Sequence, residues 1–237
     1  MDYVYICRRG ENEELRYSLR SLEKNMPAGD VWLVGYRPEW YVGNFIQVEN
    51  ISDTDKFINI KNCIKEILNN NLIKEDFVLM NDDFFALKEI NSIKNFDGGL
   101  LEDKILEYKK LGRSSRYIKL LELTLKQLKQ NGIDDPLDYD IHVPMLIKKS
   151  LLKKVIDLAY FPRSTYGNFA QLERNTIIDV KMYESDNAIT YTKNKSLEFI
   201  STEDNSFRSL EKHILSKEFI NISKCENPVY SRVPNGI

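Results

Sequence analysis

The chain has 237 residues, with 34 Lys and Arg against 36 Asp and Glu, a formal net charge of −2. Apolar residues make up 42% and charged residues 30%, which is enough to bury a core and excludes wholly disordered, collagen-like and low-complexity classes. The near-neutral balance gives no overall pull toward nucleic acid or an anionic membrane.

No apolar run reaches the roughly 18 residues that a membrane span needs. The start, MDYVYICRRGENEEL, lacks the long apolar stretch of a secretory signal. The reading is a cytoplasmic protein without a membrane span. Cys7, Cys63 and Cys225 are odd in number and far apart, with no CxxC pair, so neither a disulfide framework nor a structural zinc site is expected.

Asp2 to Cys7 is rich in Tyr, Val and Ile and reads as a short buried strand. Leu15, Leu19, Leu22 and Met26 then recur at helical spacing, with Asn12 as a candidate N-cap and Pro27 and Gly29 as the stop. Val31 to Gly35 is a second strand, and Tyr41 to Val48 holds a third. Lys56 to Asn70 is helical, with Phe57, Ile60, Ile64, Ile67 and Leu68 on one face. Asp76 to Met80 is a near-continuous apolar strand of the kind found inside a parallel sheet. This alternation predicts a single α/β domain over residues 1–220, with a mostly parallel, Rossmann-like sheet flanked by helices.

Helices are expected at about 101–110 and 114–131, separated by Gly112 and stopped at Gly132. Asp138 to Val143 reads as a strand, Ser150 to Ala159 and Tyr166 to Glu173 as helices, Ile177 to Tyr183 and Ser196 to Ser201 as strands, and Phe207 to Phe219 as a last helix. Residues 221–237, with Pro228 and Pro234, read as a loose tail. From Lys104 to Lys129 there are eight Lys and Arg against two Glu, which suits either a solvated helix face or a patch for a polyanion.

The strongest chemical signal is Asn81-Asp82-Asp83 after the strand DFVLM. Ligands of open α/β sheets bind beyond the carboxyl ends of strands. Two adjacent carboxylates there need positive charge, which a divalent ion carrying a diphosphate would supply. A capped turn facing water is the plainer alternative. Cys7-Arg8-Arg9-Gly10-Glu11-Asn12 follows the first strand and shares its rim with Asp82 and Asp83. Gly10 permits close backbone approach, the next helix offers N–H groups to an anion, and Arg8 or Arg9 can pair with a phosphate. Arg16 and Arg20 lie one turn apart on that helix, where ion pairing at the surface is the commoner use.

His142 precedes Pro144 at the end of the expected strand and is a candidate base or metal ligand. His213 lies in a charged helix and reads as surface. Arg163 in YFPRSTYGN can clamp a phosphate or carboxylate. Asp204, in the polar loop Ser201 to Ser206, can reach a metal or a sugar hydroxyl, although helix capping explains part of that loop. No Ser-His-Asp order or G-x-S-x-G elbow is present.

Several of these segments together resemble a known family. Glu11-Asn12-Glu13-Glu14-Leu15-Arg16-Tyr17-Ser18-Leu19-Arg20-Ser21-Leu22-Glu23-Lys24 is similar to the DNEELRYSLRSIEK stretch of Stealth-type sugar-1-phosphate transferases. Phe77 to Phe85 resembles that family's FLYFNDDMF block, and Ile141 to Met145 and Phe161 to Ser164 resemble its later His-Pro and Arg segments. The usual opening aspartate segment is replaced here by Tyr3 to Gly10, so the chain looks more like small phage and bacterial glycosyltransferases sharing that core. The resemblance implies a GT-A-like fold and transfer from a nucleotide-sugar donor, UDP-sugar favoured, to a glycan or to a hydroxymethylated base in phage DNA. It implies Mn²⁺ or Mg²⁺ on Asp83 and Asp82, with His142 a metal ligand or acid/base group. Arg8, Arg9, Gly10, Glu11 and Asn12 would border the nucleotide, and Arg163 would bind donor phosphate or acceptor. By position alone, Arg16 joins the donor-binding candidates and Asp204 the catalytic ones. The oligomeric state is left open.

Overall fold

The computed structural model describes residues 1–10, 12–52, 54–183 and 197–230. The five strands of the main sheet are β1 (Asp2–Cys7), β2 (Asp30–Gly35), β3 (Asn44–Gln47), β4 (Asp76–Asn81) and β6 (Met145–Lys148), in the order β3-β2-β1-β4-β6. All neighbours are parallel except β6, which runs antiparallel to β4. The expected mixed α/β fold with a mostly parallel central sheet is therefore present.

Side-chain alternation along β1 builds the two faces of this sheet. Tyr3, Tyr5 and Cys7 point into one core with Leu15, Leu19 and Leu22 of helix α1 (Glu13–Asn25). Val4 points into the other with Ile64 and Ile67 of α2 (Lys56–Asn69). After β1 the chain builds β2 and β3 on one side, then returns to place β4 on the other. The order thus reverses between β1 and β4, and at such a switch point the loops diverge and leave a crevice.

A three-stranded sheet stands beside the first, in the order β5 (Phe84–Ala86), β8 (Phe199–Thr202), β7 (Lys181–Met182). Only Asp82 and Asp83 separate β4 from β5, so this pair is the hinge between the two sheets. Helices α3 (Leu101–Lys110) and α4 (Ser115–Gln130) form a hairpin packed on α6 (Pro162–Phe169), with α5 (Lys149–Val155) alongside. Helix α7 (Asp204–Leu210) continues through a π-helical turn, Glu211–Leu215. No helix among the described residues is long and apolar enough to cross a membrane.

Two expectations are corrected. Asp138 to Val143 is a loop, and the strand falls at Met145–Lys148 instead. Side chains capture this segment's N–H groups in competition with a ladder: Asp138 Oδ1 accepts from Asp140 N at 3.0 Å, Ser164 Oγ from Tyr139 N at 3.1 Å, and Asp179 Oδ1 from His142 N at 3.2 Å. Asp138 is also fully buried against Lys104, whose Nζ is 2.5 Å away.

The second correction concerns the tail, which is pinned as far as it is described. Glu226 is buried and accepts from Arg20 Nε and Nη2 at 2.7 Å each and from Arg16 Nη1 at 3.2 Å. Backbone bonds from Val42 N to Cys225 O and from Asn227 N to Trp40 O extend the attachment. The arginines of α1 need a buried partner, and the tail brings it. Replacing Glu226 by Ala leaves the Arg20 side chain without its carboxylate and Arg16 with Glu13 alone, and removing one partner of such a buried pair costs about 3 kcal/mol or more. The expected fall in melting temperature is roughly 6–12 °C; a loss under 2 °C in thermal unfolding would show that the tail is not anchored by this contact.

Candidate functional site

A cleft of about 890 Å³ opens at the β1–β4 switch point. Its walls include Arg8 after β1, Glu14 of α1, Lys56 of α2, Asp82 and Asp83 after β4, His142, Lys181 of β7, and Glu203 and Asp204 at the start of α7. A second hollow of about 720 Å³ adjoins it over the ends of β1, β2 and β3, lined by Arg9, Tyr36, Arg37, Phe45 and Gln47, among others. Cys7 and Asn50 border both. Gly35 keeps the junction open: its φ is +112°, and a Cβ there would lie 2.5 Å from Cys7 O.

Asn12 ties the two loops of the crevice together. Its Oδ1 caps α1 by accepting from Leu15 N at 3.1 Å, and its Nδ2 donates to Asp82 Oδ2 at 2.6 Å. The cap has a left-handed backbone with φ 53°, which Asn tolerates better than most residues. Gly10, at φ +140°, makes the turn that precedes it. Arg8 bridges three acids, with Nη2 at 2.8 Å from Asp204 and 3.3 Å from Glu14, and Nε at 3.8 Å from Asp82. Asp83 Oδ2 accepts from Lys181 Nζ at 2.6 Å and from Ser201 Oγ at 2.7 Å. Lys181 also donates to the carbonyl of Thr202. Thr202 Oγ1 donates to Glu14 Oε1 at 3.1 Å.

Positive charge is short in this cleft, since five carboxylates face three cations. Burial, followed by the neighbouring Asp83, pushes Asp82 up to about 6. Burial, followed by Asp82 and then Asp83, pushes Glu14 up to about 7. The Asp204 hydrogen bond raises Arg8 above its ordinary value and, in return, lowers Asp204. Displaced carboxyl groups in a cleft are characteristic of binding and catalytic sites.

His142 lies on the same cleft with its own partner. Its Nδ1 is 2.9 Å from both oxygens of Asp179, and its backbone N donates to Asp179 Oδ1 at 3.2 Å. Burial acts to raise Asp179, but the His142 hydrogen bond and charge outweigh it and hold the carboxyl at about 2. A His oriented this way by a carboxylate can accept or deliver a proton at its other nitrogen.

Of the sequence candidates, Arg8, Asp82, Asp83, His142 and Asp204 line one cleft, Arg9 lines the adjoining hollow, and Asn12 braces the wall between Asp82 and α1. Glu11 lies outside the described residues. Arg16 does not reach the cleft; it is buried against Glu226, with its guanidinium 4.4 Å from the Trp40 ring centre. Arg163 does not line it either. It donates to the carbonyls of Tyr139 and Val143, so it supports the loop that carries His142. Glu14, Asp179 and Lys181 were not singled out by sequence. Glu14 sits within the family-like stretch, whereas nothing local marks Asp179 or Lys181, which find their partners 37 and 98 residues away. Cys7 is inert: burial, then Asp82, pushes its thiol up to about 12.

Whether a divalent ion suits the site turns on the donor set. Among the described residues no group of three or more His, Cys, Asp or Glu could enclose a metal. Asp82 and Asp83 supply two hard carboxylates, the number with which Mg²⁺ is commonly held when substrate phosphates complete its shell. The charge deficit of the cleft fits such an ion. His142 is engaged with Asp179 instead. Comparison with protein-family models finds no match, and comparison with curated proteins finds no significant relative.

The raised Glu14 carboxyl gives a signed prediction. The native state binds more protons than the unfolded chain between about pH 4.5 and 7, so stability falls as pH rises through that window. Glu14→Gln removes this loss. Discounted for solvent screening, the gain at pH 8 is about 1 kcal/mol, or roughly 2–4 °C in melting temperature, and it vanishes at pH 4.5. A melting difference that stays constant across pH would refute the assignment.

Proposed function

We propose that the protein is a glycosyltransferase that moves a sugar from a nucleotide-sugar donor to a hydroxyl acceptor. The observation that carries this reading is the position of the Asp82-Asp83 pair, at the carboxyl end of β4, in the crevice where strand order reverses. The sequence resemblance to Stealth-type and GT-A-like transferases, carried in part by the same pair, supports it as well.

In this reading the nucleoside occupies the hollow over β1 to β3, beside Tyr36, Arg37 and Phe45, with UDP the favoured donor nucleotide. The diphosphate then lies over the β1–β4 crevice, where Arg8 faces it. A divalent ion on Asp82 and Asp83 would neutralise charge developing on the departing diphosphate. Asn12 holds Asp82 in place, and the Asp179–His142 pair offers a proton acceptor for the attacking hydroxyl.

A glycan is the favoured acceptor over a hydroxymethylated DNA base. Half of the eight basic residues of the α3–α4 hairpin are paired with acids: Lys104 with Asp138, Lys109 with Glu122, Arg116 with Asp55 and Lys129 with Glu102. A second reading, sugar-1-phosphate transfer, follows from the same resemblance and differs in the bond broken. Glycosyl transfer releases a nucleoside diphosphate, whereas sugar-phosphate transfer releases a nucleoside monophosphate, so identifying the released nucleotide decides between them.

Thermal unfolding with UDP, GDP, CMP and TDP, each with and without Mn²⁺, tests the donor site. A ligand at about 100 times its Kd adds roughly 2.7 kcal/mol, a rise of about 5–10 °C here. One nucleotide should give a Mn²⁺-dependent rise that Asp83→Ala abolishes. No rise with any nucleotide would overturn the donor assignment, and a rise without turnover would point to a binding protein on a transferase-like fold.

A further inference from the structure

The cation nearest Asp83 is one that the chain itself supplies. Lys181 Nζ lies 2.6 Å from Asp83 Oδ2, with the two side chains only 15% and 12% exposed. Ser201 Oγ donates to the same oxygen at 2.7 Å, and Lys181 also reaches the carbonyl of Thr202. Lys181 and Asp83 come from opposite edges of the small sheet, on β7 and just before β5, with β8 between them supplying Ser201 and Thr202. The ammonium is therefore held by the framework at the carboxylate where a divalent ion would bind. Even with Lys181 counted, acids outnumber cations in the cleft lining, with Glu14, Asp82, Asp83, Glu203 and Asp204 against Arg8, Lys56 and Lys181. A divalent ion would ease that imbalance, but it would meet the ammonium on the same Asp83.

We propose that Lys181 is a built-in competitor for the divalent ion at Asp83, and that this competition couples ion binding to diphosphate binding. An ion arriving alone has to share Asp83 with a fixed positive charge in a poorly solvated wall, so it binds weakly. A diphosphate arriving with it brings oxygens that accept from the displaced ammonium, and both cations then have anionic partners. The coupling is reciprocal: whatever factor the diphosphate adds to ion affinity, the ion adds to diphosphate affinity. The diphosphate half of this proposal rests on the donor reading above; the competition at Asp83 does not.

The test is Mn²⁺ binding in the absence of nucleotide, measured by titration calorimetry on the full chain and on Lys181→Met and Lys181→Arg. Lys181→Met should bind Mn²⁺ at least tenfold more tightly than the wild type, because the competing charge is gone. Lys181→Arg keeps the charge and should stay within about threefold of the wild type. With UDP present, wild-type Mn²⁺ affinity should rise at least tenfold, and Lys181→Met should lose most of that enhancement. Lys181→Gln serves in place of the Met variant if the latter fails to unfold cooperatively. Mn²⁺ affinity that is unchanged or weaker on loss of the charge overturns the proposal, as does a lack of Mn²⁺ binding by any of the proteins. If the Met variant gains Mn²⁺ affinity while no nucleotide raises the melting temperature, the donor reading fails and the competition at Asp83 stands.

Discussion

Two adjacent carboxylates at the end of a buried strand are a standing electrostatic problem, and much of this molecule is arranged around it. Asp82 and Asp83 form the step from β4 into β5, so neither can move far without separating the two sheets. Water is partly excluded there, and a carboxylate pair in such surroundings requires positive charge or protons. The chain answers with Arg8 from the first loop, the Asn12 amide from the α1 cap and Lys181 from β7. Burial first, and the neighbouring acids second, still raise the Asp82 and Glu14 carboxyls. This shortage of cations at the floor is what the proposed divalent ion, carried by a diphosphate, would meet.

The rest of the architecture holds these groups in register. The parallel order β3-β2-β1-β4 places the Arg8 loop and the Asp82–Asp83 turn side by side, because both follow the carboxyl ends of adjacent strands. The αL cap at Asn12 lets one side chain both start α1 and brace Asp82. Arg163 works one layer back, binding the carbonyls of the loop that presents His142. The tail works at the far side of α1, where Glu226 neutralises Arg16 and Arg20 and fixes the helix that carries Glu14. Structural ion pairs and candidate site residues therefore alternate along the same helix, with Arg16 and Arg20 turned to the tail and Glu14 to the cleft.

Sequence periodicity was enough to place α1, α2, β1, β2 and β4, since each has a complete apolar stripe or run within its own span. Their alternation made the parallel sheet legible, and with it the shared rim of Arg8 and Asp82-Asp83. The reading failed at Asp138 to Val143, where apolar alternation imitates a strand while Asp138, Ser164 and Asp179 take its N–H groups. It also failed at the tail, because the partner that pins Glu226 lies about two hundred residues away. Such pairings leave no local mark, as no spacing rule links residues so distant.

What the sequence determined by itself was therefore the local part: which segments are strands and helices, and that an acidic pair follows a central strand. Tertiary structure decided which charges meet. Arg16 and Arg163 are as basic in the sequence as Arg8, yet only Arg8 faces the cleft. Lys181 stands between Val180 and Met182 and carries no motif, yet it closes on Asp83 because β8 spaces β7 and β5 across one small sheet. The physical reason is range. Apolar periodicity and capping act over a few residues, whereas electrostatic neutralisation acts through space between whichever segments the sheet order brings together.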